Sequence, residues 1–206
     1  MPRYSQLPLA LSLILTFAAA PAFAQPFANA GVSQAGYSGG SVRPALQCER
    51  LADVMLDDLV AISARTVAAE GAVREHCRVS GVLAPEIAFE VNLPTPWNGR
   101  LYMIGNGGHA GEAPDDPGRA AQRGQALEHG FVMASTNTGH YAREEPSATF
   151  VLSNPQKAID YAYRAVHLSA VAAKQIANRY YAQPVENAYW NSCSNGGRQG
   201  LIEAQR

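Results

Sequence analysis

Charge is scarce in this chain and neither sign is in excess. Asp, Glu, Lys and Arg make up 16% of the 206 residues, 16 basic against 17 acidic, for a net charge of −1. Nucleic acid and anionic membranes are recognised through clustered Lys and Arg, and no basic run occurs, so there is no electrostatic case for either partner. A bilayer-length apolar run is also missing. The most apolar stretch, Leu7 to Ala20, falls short of the ~20 residues a membrane span needs and is closed by Pro21. Only three cysteines are present, and an odd number leaves one without an internal partner. No internal repeat is found. The 47% apolar content excludes a disordered or collagen-like chain, and the length suits one domain able to bury its own core.

The N-terminus reads as an address. Arg3 supplies a positive start, Leu7 to Ala20 the apolar centre, and Ala22-Phe23-Ala24 the small-x-small form that signal peptidase cuts. Residues 1–24 are therefore expected to be a signal peptide cleaved after Ala24, with a periplasmic or extracellular product. Residues 25–47, rich at first in Gly, Ser, Ala and Gln without a period, are expected to form a flexible mature N-terminus. Export allows disulfides to persist. Cys48 and Cys77 lie 29 residues apart, and closing that loop would stabilise the fold by roughly 3–4 kcal/mol on a chain-entropy model. Cys193 would then be a buried free thiol or have its partner outside these residues.

From Cys48 onward the pattern alternates between strands and helices. Leu51, Val54, Met55 and Leu59 have helical spacing, whereas 59–69 and 77–83 are β-branched enough for strands. Ile87, Phe89, Val91 and Leu93 alternate as a strand does, Arg100 to Ile104 is a second apolar strand, and Phe131 to Thr136 a third. A short helix is expected from Arg119 to Glu128, closed by Gly130. Asn154 followed by Pro155 predicts an N-cap with proline in the first helical position. Ile159, Ala162, Tyr163, Val166, Ala170, Ala173, Ile176, Ala177 and Tyr180 then form one apolar face of about seven turns, ended by Pro184. A strand over Asn187 to Ser192 leads into a helix from Gly196. This rhythm predicts an α/β three-layer sandwich with a mostly parallel sheet over 48–206.

Chemistry concentrates in Ser192-Cys193-Ser194-Asn195-Gly196-Gly197. A strand turning sharply into a helix presents one side chain at its tip, and small residues two before and two after permit the bend. Ser194 stands at that tip, with Gly196 on one side and Ser192 in place of the usual glycine on the other. The following helix aims free N–H groups at the site, so the Asn195 amide is the natural oxyanion donor. An ordinary Gly-rich turn with a solvated serine is the plain alternative. Upstream, Gly105-Asn106-Gly107-Gly108-His109-Ala110-Gly111 follows a strand, where α/β-hydrolases place the loop that supplies the second oxyanion donor, a role that suits Gly107 and Gly108. Gly105-x-Gly107-x-x-Ala110 also satisfies a dinucleotide fingerprint, with Glu128 near the ribose-binding position, but Pro114 and Pro117 argue against the helix that reading needs.

Trp97-Asn98-Gly99-Arg100, Gly105-Asn106-Gly107-Gly108, Thr138-Gly139-His140 and Cys193-Ser194-Asn195-Gly196-Gly197-Arg198-Gln199-Gly200 together resemble the tannase and feruloyl esterase family, from about Cys48 to the last residue. The resemblance implies an α/β-hydrolase fold with Ser194 as nucleophile. It implies an N-terminal disulfide between Cys48 and Cys77, and a bond from Cys193 to a cysteine beside the catalytic histidine, outside this chain. The activity it implies is that of a secreted serine carboxylic-ester hydrolase acting through an acyl-enzyme on Ser194, with small aromatic esters of phenolic acids, feruloyl or galloyl in type, as substrates. It further implies a lid holding a metal ion, calcium in kind, in the full-length protein, with no cofactor in this stretch. The family pattern has glycine where Ser192 stands and threonine where Asn195 stands.

The expected order in α/β-hydrolases is nucleophile, acid, histidine, yet all five histidines, His76, His109, His129, His140 and His167, precede Ser194. A serine without a base is a poor nucleophile at neutral pH. His109 and His140 lie in neighbouring loops, where a lone histidine is more often a surface or structural residue. The chain is therefore expected to be an N-terminal part of a catalytic domain, truncated after the elbow, inactive alone, with an open edge at the strand that feeds it. Two other readings stand beside the serine esterase. One is a thiol hydrolase using Cys193, and the other a non-catalytic exported binding module. Asp115-Asp116 alone is no metal site.

Overall fold

The computed structural model describes residues 40–206 apart from residue 72 and the side chain of residue 153. The expected signal peptide at 1–24 and most of the expected flexible N-terminus lie outside the described residues. Among the described residues, no helix is long and apolar enough to cross a membrane.

Six strands form one sheet: β1 (Leu59–Val67), β2 (His76–Leu83), β3 (Ile87–Pro94), β4 (Arg100–Ile104), β5 (Val132–Thr136) and β6 (Asn187–Asn191), in the order β1-β2-β3-β5-β4-β6. The sheet is mixed, which corrects the expectation of a mostly parallel one. β1, β2 and β3 form an antiparallel meander, β3 also runs antiparallel to β5, and only β5-β4-β6 are parallel. The connections explain this. Three residues separate β2 from β3, whereas a parallel crossover needs a dozen or more.

The helices are α1 (Ala120–Glu128), α2 (Phe150–Ser153), α3 (Pro155–Ile159), α4 (Ala165–Tyr181) and α5 (Asn195–Glu203). Strand alternation sends the two faces of the sheet to different layers. Val91, Leu101, Met103, Val132 and Ala134 share one core with Val166, Ala170, Ala173 and Ile176 of α4. Ile104 and Met133 point the other way, against Ala126 of α1. Helices on both faces make the three layers that were expected.

Asn154 caps α3 as its sequence predicts, its side chain accepting from the Gln156 N–H at 3.0 Å with Pro155 in the first turn. The long helix is not continuous. A π-helical stretch, Asp160–Arg164, joins α3 to α4, which stops at Tyr181 with Ala182 in the left-handed region at φ 53°. The helical spacing after Cys48 gives only a 3-10 helix, Cys48–Asp53, which buries Leu51 and leaves Met55 exposed. The Cys48–Cys77 disulfide ties that turn to β2, with the Cα atoms 5.5 Å apart. Cys193 is exposed, not buried, and is bonded to neither of the other two cysteines.

Candidate active site

β4 and β6 are neighbours in the parallel half, paired from Arg100↔Asn187 to Ile104↔Asn191. Both strands end at the same level, so the glycine loop after β4 and the turn after β6 emerge side by side. Their adjacency follows from strand order, and sequence distance conceals it.

At the turn, Ser194 adopts φ 53° and ψ −130°, backbone angles that an L residue other than glycine reaches at a cost of about 1–3 kcal/mol. Its side chain is exposed. Ser194 is also the residue before α5, and no side chain caps that helix. The helical bonds begin with the Gly197 N–H on the Cys193 carbonyl and the Arg198 N–H on the Ser194 carbonyl, both 3.2 Å, so the Asn195 amide stands outside the ladder at the positive end of the helix. A hydroxyl held out on a strained bend beside a free amide can attack a carbonyl carbon and have the resulting oxyanion stabilised.

Glycine permits the close approach behind the bend. A Cβ on Gly196 would overlap the Ser192 hydroxyl, and one on Gly105 would lie 2.7 Å from the Gly196 Cα. Ser192 therefore fits the elbow because Gly196 leaves room for its side chain. The Trp190 indole donates to the Gly196 carbonyl at 2.9 Å. Gly107 and Gly108 are exposed beside open space. The Gly107 carbonyl accepts from the Ala110 N–H at 2.8 Å, making a turn in which Gly108 has φ +52°. No helix opens there, and the next helical turn is the 3-10 segment Pro117–Arg119 leading into α1, which removes the structural context of the dinucleotide fingerprint.

Residues to which the motif reading gives no role of their own hold these two segments together. Asn106, fully buried, donates through Nδ2 to the Thr136 carbonyl at the end of β5, at 2.9 Å. Tyr161, on the π turn, places its hydroxyl 3.3 Å from the Gly108 carbonyl and 3.2 Å from Asn195 Oδ1. Arg198 Nε donates to the same Oδ1 at 2.7 Å, and its guanidinium lies over the Tyr161 ring at 4.9 Å. Its other nitrogens donate to the Ala162 carbonyl at 2.7 Å and the Tyr161 carbonyl at 3.1 Å. π turns loosen the helical ladder, which makes such carbonyls available to an outside donor. The only sequence signal for this cluster is the polar Asn195, Arg198 and Gln199 within an otherwise Gly-rich helix start.

Among the described residues, no hydrogen bond joins a histidine ring to Ser194. His140 has no exposed surface, its ring stacked on Phe150 with centroids 3.9 Å apart and set edge-on to Tyr161 at 6.3 Å. Burial holds its pKa below the ordinary imidazole value and Lys157 pushes the same way, while Glu145 opposes them. Both ring nitrogens of His140 are buried without a hydrogen-bond partner among the described residues. His109 and His129 are exposed, His76 is buried in β2, and His167 is bonded to Glu203 at 3.2 Å. Among the described residues, no cluster of three or more His, Cys, Asp or Glu could hold a metal ion.

A family model described as tannase and feruloyl esterase matches residues 71–206. Among curated proteins, the chain is 31% identical over 160 residues to mono(2-hydroxyethyl) terephthalate hydrolase of Piscinibacter sakaiensis, covering 70% of this chain and 26% of that protein. It is 35% identical over 117 residues to feruloyl esterase B of Aspergillus niger, covering 57% of this chain and 21% of that one. Among solved structures, feruloyl esterase B from Aspergillus oryzae superposes with a TM-score of 0.59 at 27% identity, covering 77% of this chain and 34% of that one. The chain thus spans about a quarter of the length of the curated relatives and a third of the solved one. The match, over about two thirds of its length, makes the chain a member of the tannase and feruloyl esterase family.

Proposed function

We propose that Ser194 is the nucleophile of an exported carboxylic ester hydrolase that cleaves esters of aromatic acids of feruloyl or galloyl type. The supporting observation is the strained, exposed backbone at Ser194, directly ahead of α5 and its uncapped N-terminus. Strain of this kind persists only where the surroundings over-determine it, and here it falls on a solvent-exposed serine. Relatives named for feruloyl esters and for a terephthalate monoester share an aromatic carboxylic acid as the acyl part, which favours an aromatic acyl group here.

In this reading, Ser194 Oγ attacks the ester carbonyl carbon while its proton passes to a histidine outside the described residues. The carbonyl oxygen, now negative, is held by the Asn195 N–H and by an amide of the Gly107–Gly108 turn. Collapse expels the alcohol, which takes the proton back, and leaves the acid esterified to Ser194. Water, deprotonated by the same base, attacks that ester and releases the acid and the serine. The catalytic acid, the histidine, the partner of Cys193 and the lid with its metal ion are proposed to belong to the full-length protein.

A fluorophosphonate probe on the natural full-length product tests the assignment. Labelling at Ser194 that disappears in Ser194→Ala is expected. Labelling and ester hydrolysis that survive Ser194→Ala and vanish in Cys193→Ser would establish the thiol reading, and a full-length protein with neither activity would leave a binding module.

A further inference from the structure

Gln199 lies in the second turn of α5, nearly fully buried. Its side-chain amide faces one peptide unit of the glycine loop. The Asn106 N–H donates to Gln199 Oε1 at 3.1 Å, and Gln199 Nε2 lies 3.4 Å from the Asn106 carbonyl. Asn195 Nδ2 donates to that same carbonyl at 3.1 Å. The β4–β6 ladder ends at Ile104↔Asn191, so two residues later the loop has left the sheet and lost its strand partner. The Gln199 amide, carrying one acceptor and a donor as a peptide does, replaces that partner. Asn106 is also held from the other side by its bond to Thr136. The next two residues, Gly107 and Gly108, project from this anchored point into open space.

We infer that Gln199 is a positioning residue that sets the Gly107–Gly108 amides against Ser194 by clamping the Asn106 peptide to α5. The inference rests on the esterase reading above. A stabilising donor helps only where it meets the developing oxyanion, and a displacement near 1 Å costs roughly 10²-fold in rate. The glycines carry no side chain to pack, and their own ties are two carbonyl bonds, Gly107 to the Ala110 N–H and Gly108 to the Tyr161 hydroxyl, which leave the amides to be set by the peptide upstream. A buried amide one residue upstream fixes the loop without occupying the space the substrate needs.

The test compares full-length wild type with Gln199→Leu, Gln199→Glu and Ser194→Ala, using methyl ferulate hydrolysis and the rate of fluorophosphonate inactivation. For Gln199→Leu, kcat and inactivation should both fall by roughly 10²-fold, with KM changed by less than about threefold. Gln199→Glu keeps the acceptor for the Asn106 N–H and loses the donor. A neutral carboxyl restores one donor and one acceptor, so the ratio of this variant's rate to wild type should rise as pH falls. A residue that merely filled space would give no such recovery. Unchanged kcat and inactivation in a folded Gln199 variant, or a rise in KM alone, would overturn the positioning role. If Gln199→Leu does not fold, the pH ratio of Gln199→Glu decides. Should Ser194→Ala retain hydrolysis, the esterase reading itself fails. Should Ser194→Ala be inert while both Gln199 variants match wild type, only the role of Gln199 fails.

Discussion

The sheet has two halves that are built for different work. The antiparallel half, β1 to β3, is held by covalent and ionic bonds. The disulfide joins Cys48 to Cys77, and on the face turned away from α4 the buried Glu90 carboxylate lies 3.2 Å from Arg123 Nε, 3.6 Å from Arg78 Nε and 2.8 Å from Asn92 Nδ2. The parallel half, β5-β4-β6, has few such ties. It ends in an edge strand that is mostly exposed, with Tyr189 37% and the following helix's Leu201 70% accessible. It also carries the strained serine and the glycine contacts. Strain and unpaired amides need neighbours that do not move, and the bolted half gives the sheet that rigidity while contributing no reactive group of its own.

The comparison breaks most sharply at the bend. Ser194→Ala is expected to lower ester hydrolysis by at least about 10⁴-fold in the full-length protein with little change in melting temperature, as removal of a triad member does. Ser194→Gly should be equally inactive and more stable by roughly 1–2 kcal/mol, since glycine adopts φ 53° freely. A chemical denaturation curve showing no gain would mean that the bend stores no strain. Gly196→Ala forces a Cβ onto the Ser192 hydroxyl and should cost about 1–3 kcal/mol while abolishing labelling at Ser194.

Changes in the antiparallel half should act on stability and spare the chemistry. Glu90→Gln leaves Arg123 and Arg78 without their buried counter-charge, and a loss of about 3–5 kcal/mol is expected. Replacing Cys48 and Cys77 together by serine should lower stability by roughly 3–4 kcal/mol. In both variants the rate of fluorophosphonate labelling, measured well below the melting temperature, should match wild type. A parallel loss of labelling rate would show that the two halves are not independent.

Much of this architecture was legible before the structure. Asn154-Pro155 marks a helix start correctly, the strands from Ile87, Arg100 and Asn187 begin where alternation and turn residues place them, and the one expected from Phe131 begins one residue later, at Val132. Strand direction was misread because an apolar alternation is the same whichever way a neighbour runs. The three-residue link between Leu83 and Ile87 held the answer, since it can only close a hairpin. The bend at Ser194 was visible as a pattern of small residues. Its supporting cluster was not, because Asn106, Tyr161 and Gln199 come from three distant segments and meet only through strand order and an interruption in the long helix. No local period encodes a π turn.

One buried histidine in each half allows a finer test. His76 in β2 and His140 in the loop after β5 are both held below the ordinary imidazole pKa, chiefly by burial. Arg78 and Arg123 add to the effect at His76, where a bond to the Arg74 carbonyl opposes it. A pH unit or more above the ordinary value of about 6.5, both rings are neutral in the folded and the unfolded chain, and the folded state keeps its full stability. Below that value the unfolded chain takes up protons that the folded chain refuses, so stability falls as pH drops toward the folded pKa values. Each histidine can contribute a slope of up to about 1.4 kcal/mol per pH unit. Denaturant midpoints of the full-length protein measured from pH 7.5 to 5.5 should therefore decline, and His76→Gln and His140→Gln should each flatten the decline by part. Flattening by His76→Gln alone would place the acid sensitivity in the bolted half and leave the loop beside the serine indifferent to pH.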